Sequence, residues 1–476
     1  MSKPKHDDRA GLARRFKPYP AYKDSGVEWL GEIPAHWEVQ RLNTLASVKL
    51  SNIDKKSVDG QEAVQLCNYT DVYYNERITK GLEFMPATAT AEQVRRFSLQ
   101  RGDVLITKDS ESWTDIAVAA VVAEDLPGVL CGYHLAHIRP GTNSDGGFLS
   151  RAFTAVGLRD QFRVAANGIT RFGLGGDAIR MSLFPVPRKQ EQRAIAAFLD
   201  SETAQIDALV AKKTRLIELL QEQRTALITR AVTKGLPAEA AGKAGLDANV
   251  PMKHSGVEWL GEIPMHWEVE RIKWAARMVS GHTPDKKVES YWRGGDIPWV
   301  SLADTGQLRE VDYIETTAVM TTSDGIAHSS AHVLPAGTVV FSRDATIGLC
   351  AITRAGMAVS QHFIGWFCGP RLLPEYLLLV LRSMKQELDQ LTMGATVRTI
   401  GMPDVKSLAT PIPPLPEQKK IVRHVLHRRA RLDLLIAKVR EAIERLEELR
   451  TALIFAAVTG KIDVRDWSAA ASEGVA

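Results

Sequence analysis

Two long stretches of the chain carry apolar residues at alternating spacings near three and four. The first runs through Leu199, Ile206, Val210, Ile217, Leu220 and Leu227. The second runs through Val425, Leu432, Ile436, Val439, Ile443, Leu446 and Leu453. Glu, Arg and Lys fill the positions between. So narrow a stripe predicts coiled-coil helices rather than helices that bury a broad face. Pro185 and Pro187 precede the first stretch, Pro413, Pro414 and Pro416 precede the second, and Gly235 and Gly460 close them. These stop signals bound the helices at 189–235 and 415–461. Ahead of each helix, short β-rich runs at 103–107, 117–123, 338–342 and 349–353 are broken by Gly, Asp and Asn. Residues 22–188 and 252–414 therefore read as two α/β segments. Residues 236–251, rich in Ala and Gly without periodicity, read as a linker. Residues 1–21 read as a polar, basic N-terminal tail and 462–476 as a C-terminal tail.

The two segments open and close with the same text. YKDSGVEWLGEIPAHWEVQRL at 22–42 recurs as MKHSGVEWLGEIPMHWEVERI at 252–272, with sixteen of twenty-one positions identical. RTALITRAVT at 224–233 recurs as RTALIFAAVT at 450–459, with eight of ten identical. Between these ends only a thin skeleton aligns: GDVLITKD with GTVVFSRD, GYHLAHI with SQHFIGW, Gly168 with Gly394, and Pro185 and Pro187 with Pro411 and Pro413. Neutral drift would spread differences evenly. Held ends and divergent middles instead predict one fold used twice with two different surfaces.

Composition narrows the function without choosing it. The 476 residues are 45% hydrophobic and 24% charged, which excludes disorder as a description of the whole chain. A net charge of +4 is mild for a nucleic-acid binder. No apolar run approaches the ~20 residues that span a bilayer, and the first twenty residues lack the apolar core of a secretory signal. Four isolated cysteines, Cys67, Cys131, Cys350 and Cys368, fit a reducing cytoplasm and offer no structural zinc site.

Catalytic patterns are scarce. The chain has no phosphate-binding loop, no HExxH, no nucleophile elbow and no NPPY-type tetrapeptide for holding a flipped base. One match to a metal-dependent nuclease exists, in Pro403-Asp404 followed by Glu417 and Lys419. That chemistry needs two carboxylates on Mg²⁺ with a lysine beside the attacking water. The first segment places Ala178 and Arg193 where Asp404 and Lys419 align, so the match reads as a decoy. His36 and His266, in the repeated HWE, read as parts of a packing anchor. His134 and His362 align inside the divergent middles and are either core histidines or groove-facing donors. No catalytic or metal-ligating residue is assigned.

The motifs SGVEWLGEIPxHWEV, PxPPLPEQ and RTALIxxAVT, with Ser280-Gly281-His282-Thr283-Pro284 and Gly295-Asp296-Ile297-Pro298-Trp299 opening the second segment, resemble the specificity (S) subunits of type I restriction–modification systems. The resemblance runs from about residue 22 to 461, although the first connector, Phe184 to Gln192, lacks the P-L-P. It implies two tandem α/β target recognition domains separated by an antiparallel two-helix coiled coil, with a pseudo-two-fold internal repeat. It implies double-stranded DNA as ligand, each domain reading half of a bipartite target. It also implies partners: two modification (M) subunits that methylate adenines, and two restriction/motor (R) subunits that translocate and cleave. S-adenosylmethionine, ATP and Mg²⁺ would sit on those partners, with no cofactor on this chain. A stand-alone bipartite DNA-binding or scaffold subunit of a methylation-based phage-defence system, without a nuclease, is the alternative.

Base-reading candidates need donors or acceptors on loops of the shared skeleton. In the first segment these are Asn68, Tyr69, Thr70, Lys108, Asp109, Ser110, Tyr133, His134 and Arg171. In the second they are Ser280, Thr283, Arg343, Asp344, Gln361, His362 and Arg398. Arg and Lys can pair with guanine and Asn and Gln with adenine, but any one of these side chains could equally hold phosphate or stabilise a turn.

Overall fold

In a computed structural model, residues 16–247, 249–393 and 398–467 are described. The chain divides into two compact units. Unit 1 takes residues up to Thr214 and those from Glu441 onward, and unit 2 is Arg215–Arg440.

Each unit holds a five-stranded sheet of the same topology. In unit 1 the order is Ala46–Leu50, Leu135–Pro140, Val104–Thr107, Ala119–Val122, Arg77–Ile78. In unit 2 it is Ala276–Ser280, Phe363–Cys368, Val339–Ser342, Cys350–Thr353, Tyr313–Ile314. The last strand of each runs parallel to its neighbour and all other pairs are antiparallel. A three-stranded sheet with one parallel pair accompanies each. The α/β reading is thus sharpened to mixed, mainly antiparallel sheets.

The central strands are buried on both faces, which explains their continuous apolar text. Alternation along the strand sends Val104 and Ile106 into one core and Leu105 into another. Unit 2 repeats this, with Val339 and Phe341 on one side and Val340 on the other. A helix lies over one face of each sheet, Gly146–Thr154 in unit 1 and Pro374–Ser383 in unit 2.

The two long helices are α1, Lys189–Lys234, and α2, Leu415–Val458. At 1.5 Å per residue the 46 residues of α1 span about 69 Å. Gly235 and Gly460, at φ of 73° and 70°, adopt the left-handed conformation that ends a helix. Along the seam, Leu199, Ile206, Ile436 and Leu453 are buried, and Val210, Ile217, Leu220, Leu227, Leu432, Val439, Ile443 and Leu446 are half-buried. The start of α1 and the end of α2 share the core of unit 1, and the end of α1 and the start of α2 share the core of unit 2.

Each long helix is clamped at its first turn by the repeated text. Glu191 accepts hydrogen bonds from Tyr19 Oη at 2.7 Å and Trp37 Nε1 at 3.1 Å, and pairs with His36 Nε2 at 2.9 Å. Glu417 does the same with Trp267 Nε1 at 3.1 Å and His266 Nε2 at 2.8 Å. The glutamines that follow tie down the preceding connector. Gln192 donates to Pro187 O and Asn143 O, and Gln418 to Pro413 O and Arg371 O. Trp37 and Trp267 are fully buried, so the HWE anchor is a packing device whose polar edge holds the helix start. With Glu417 so engaged, the nuclease-like match has no free carboxylate there.

Three readings change at the margins. The linker contains a short helix, Ala238–Lys243. Its six residues are too few for a periodic signal. The N-terminal tail is structured from Phe16 onward, with Phe16 packed on the core and Tyr19 buried in it. The C-terminal tail likewise contributes Ile462, Val464 and Trp467 to the same core. Isolated aromatic and aliphatic residues in polar text carry no pattern that marks them as buried. Among the described residues no helix is long and apolar enough to cross a membrane.

Candidate nucleic-acid interface

The end of the Val104–Thr107 strand delivers Lys108, Asp109 and Ser110 to one edge of the unit 1 sheet. The next antiparallel strand, Leu135–Pro140, is entered through Tyr133 and His134. Lys108 Nζ donates to Asp109 Oδ2 at 2.7 Å and stands 4.7 Å from the centre of the Tyr133 ring. His134 Nδ1 lies 3.0 Å from the same carboxylate oxygen. Arg171 Nη2 lies 3.2 Å and 3.3 Å from the two His134 ring nitrogens, which sets the guanidinium against the imidazole. Arg171 arrives on a tight loop closed by the Asn167–Gly173 bridge. At Gly168, φ is +139° and a Cβ would sit 1.9 Å from Arg171 O, so only glycine fits.

Burial opposes the charge on Asp109, but the hydrogen bonds from Lys108 and His134 outweigh it and hold the carboxyl below the usual range. An ionised Asp109 only accepts, so His134 presents N–H at Nδ1 to it. In the neutral ring Nε2 is then left as an acceptor.

Tyr69 and Ser110 join this cluster through a 3.4 Å Oη–Oγ contact. Tyr69 stacks on Tyr73 with ring centres 5.5 Å apart. Asn68 starts the Tyr69–Tyr73 helix, its backbone N–H donating to Asp71 Oδ2 at 2.7 Å and its side-chain amide to Leu66 O at 3.4 Å. Thr70 is exposed on the same helical turn.

Unit 2 rebuilds the same motif from different residues. Arg343 and Asp344 follow the Val339–Ser342 strand, and Gln361 and His362 precede Phe363–Cys368. His362 Nδ1 lies 2.9 Å from Asp344 Oδ2. Gln361 Nε2 lies 3.3 Å from His362 Nε2, and Thr283 Oγ1 donates to Gln361 Oε1. Arg343 is held by the carbonyls of Gln361 at 3.3 Å and Ile400 at 3.4 Å, with Asp344 3.6 Å away. Its donors serve the loop framework first. Arg398 pairs with Asp389 at 3.3 Å, away from the cluster, while its carbonyl accepts from the Ala345 amide. Ala345 has φ of +60°, a left-handed strain held by these loop bonds. Ser280 is exposed at its strand end, next to Gly281, where a Cβ would meet Ser360 O at 2.0 Å.

The structure therefore brings most first-segment candidates into one hydrogen-bonded cluster and turns the Arg398 side chain away from the second-segment cluster, onto Asp389. Gly394, the expected partner of Gly168, lies outside the described residues. Sequence reasoning missed Thr399, which donates to Asp344, and Tyr73 in the aromatic stack. Tyr73 was within reach of it, because Tyr69, Tyr73 and Tyr74 line one short helical run. In both units an aspartate orients a half-exposed histidine at the same strand junction. Such a pair, beside an arginine in each unit and beside Tyr133 in unit 1, can exchange hydrogen bonds with base edges and attract phosphate.

Residues 264–445 match the family described as the type I restriction modification DNA specificity domain. This match and the relatives that follow make the chain similar to the type I restriction–modification specificity subunits. This chain is 30% identical over 164 residues to the MjaIX specificity subunit of Methanocaldococcus jannaschii, an alignment covering 34% of this chain and 38% of that one. It is 22% identical over 445 residues to the putative MjaX specificity subunit of the same organism, covering 92% and 96%. A solved chain described for complex assembly and conformational transition of the type I R-M system shares the fold. Its TM-score is 0.65 at 18% identity, covering 90% of this chain and 99% of that one.

Proposed function

We propose that the chain is a type I restriction–modification specificity subunit, a DNA-recognition component rather than a catalytic one, and that it reads a bipartite DNA target, one half with each segment. Residues 22–188 and 252–414 would be the two target recognition domains, and 189–235 and 415–461 the two helices of an antiparallel coiled coil. The observation that carries this reading is the Asp–His pair at the same strand junction of two identically connected sheets, set among non-matching neighbours. Equal scaffolds with unequal loops suit two different half-sites. Contacts along α1 and α2 support the coil. Asp207 meets Arg450 inside unit 1 and Arg224 meets Asp433 inside unit 2, so residue numbers sum to 657 at both places, the constant of an antiparallel register.

The candidate reading residues remain Asn68, Tyr69, Thr70, Lys108, Asp109, Ser110, Tyr133, His134 and Arg171 for one half-site. For the other they are Ser280, Thr283, Arg343, Asp344, Gln361, His362 and Arg398. Two M subunits would dock on this frame and methylate adenines, and two R subunits would join for translocation and cleavage. S-adenosylmethionine, ATP and Mg²⁺ are assigned to those partners. Deleting the chain from its host and mapping adenine methylation tests the proposal. A bipartite motif should vanish, and a map unchanged in cells that express the other subunits overturns it.

A further inference from the structure

The duplicated helix starts differ sharply in charge. Residues 419–431 at the start of α2 hold six Lys or Arg, at 419, 420, 423, 428, 429 and 431, with two histidines and no acidic residue. The matching stretch of α1, 193–205, holds one arginine against Asp200 and Glu202. A net of +6 on one copy therefore faces −1 on the other. Lys419, Arg423, His427, Arg428 and Arg431 are exposed. Arg429 is used internally, on Asp312 at 2.9 Å, and Lys420 reaches Gly245 O at 3.3 Å. No carboxylate among the described residues lies within ion-pair distance of Lys419, Arg423, Arg428 or Arg431, although Glu239 is within electrostatic reach of Arg428.

A partner that binds both repeats alike would call for matching surfaces on both. This surface exists once. The cations extend over thirteen residues, about 18 Å of helix from first to last. Duplex DNA presents roughly one phosphate charge per 1.7 Å of its axis, so a helix laid along it passes about ten phosphates. Long lysine and arginine side chains without carboxylate partners suit such sequence-independent contact.

We propose that the exposed basic face of α2 from Lys419 to Arg431 is a second DNA-contacting surface. It grips the phosphate backbone without reading bases, and it is present in one repeat only. The proposal rests on the chain being a DNA-recognition subunit, and it adds a contact distinct from the Asp–His loops.

The test is a salt series on the full-length protein with a 40-base-pair duplex of unrelated sequence. The variant K419Q/R423Q/R428Q/R431Q should bind this duplex more weakly, with the log–log salt slope shallower by about 2 to 4, since each lost phosphate contact removes ~0.9. The variant R423K/R428K/R431K, which keeps the charge, should retain the slope, and unchanged melting should accompany both. Preference for the chain's own target over the unrelated duplex should stay the same, which separates this surface from the reading loops. An unaltered slope in the glutamine variant overturns the proposal. So does an unaltered slope coupled to loss of a co-purifying acidic protein, which would make the face a protein interface.

Discussion

Arg224 donates from Nη1 to Asp433 at 2.9 Å, and the same bond is written again elsewhere in the chain. Asp207 and Arg450, each the 226-residue counterpart of one member, meet at 3.0 Å through Arg450 Nε. Donor and acceptor have exchanged helices between the two copies. A direct repeat of a contact would keep the arginine on one helix, whereas an antiparallel pair of repeated helices must swap it.

The exchange predicts how these pairs respond to mutation. Side chains of Arg224 and Asp433 are about two-fifths exposed, so their coupling in a double-mutant cycle should be small, about 0.2–1 kcal/mol. Arg450 also bonds Glu76 at the edge of the recognition sheet, and its side chain is 22% exposed. Arg450→Ala should therefore destabilise more than Arg224→Ala in urea unfolding. Equal losses would mean that the Glu76 contact contributes nothing.

The clamp on the helix starts predicts an order. Glu191→Ala strands the buried Tyr19 hydroxyl and Trp37 indole N–H, each costing about 1–3 kcal/mol when left unpaired. Glu417→Ala strands the Trp267 indole alone among buried donors. Thermal melting should place the Glu191 variant below the Glu417 variant. The reverse order contradicts the assignment of Tyr19 to the core.

Asp312 links the second sheet to α2 through Arg429 and to the Pro374–Ser383 helix through Arg382. Burial opposes its charge, but the two arginines outweigh that and depress its pKa below the ordinary value of ~3.9. A depressed carboxylate stabilises the fold above its unfolded pKa, and that stability is lost as pH falls through the folded pKa. Asp312→Asn should thus be less stable than wild type at pH 7 and pH 5. The gap should close as pH drops below about 4. Urea midpoints at pH 7, 5 and 3 check this, and a gap that persists undiminished at the lowest pH as folding fails counts against it.

Helix length should set the spacer between half-sites. Removing seven residues from the middle of both α1 and α2 keeps the seam in phase and shortens each by about 10 Å. The methylated motif should lose about three base pairs of spacer, at 3.4 Å per step, with both half-sites intact. Altered half-sites with an unchanged spacer would refute a ruler.

The long helices and central strands were legible because their apolar periods run over many residues. Val104 to Ile106 and Val339 to Phe341 are continuous apolar runs that only a doubly covered strand requires. The two-residue edge strands Arg77–Ile78 and Tyr313–Ile314 are too short for any period, and they escaped notice. The clamp was half-visible. HWE and EQ recur at fixed places, but nothing local says that His36 and Glu191, 155 residues apart, touch. The Asp–His pairs were selected residue by residue, and only the strand register brings Asp109 to His134.

Substitution in one segment, read out on the whole target, tests the central claim most directly. The experiment is an adenine-methylation map in cells carrying the chain with Arg171→Ala and His134→Ala, beside a map with wild type. Loss of a base-reading pair weakens discrimination by about 1–3 kcal/mol at the position it served. One half of the bipartite motif should become degenerate while the other half and the spacer stay unchanged. Degeneracy spread over both halves, or a motif unaltered by the change, would contradict two independently reading segments.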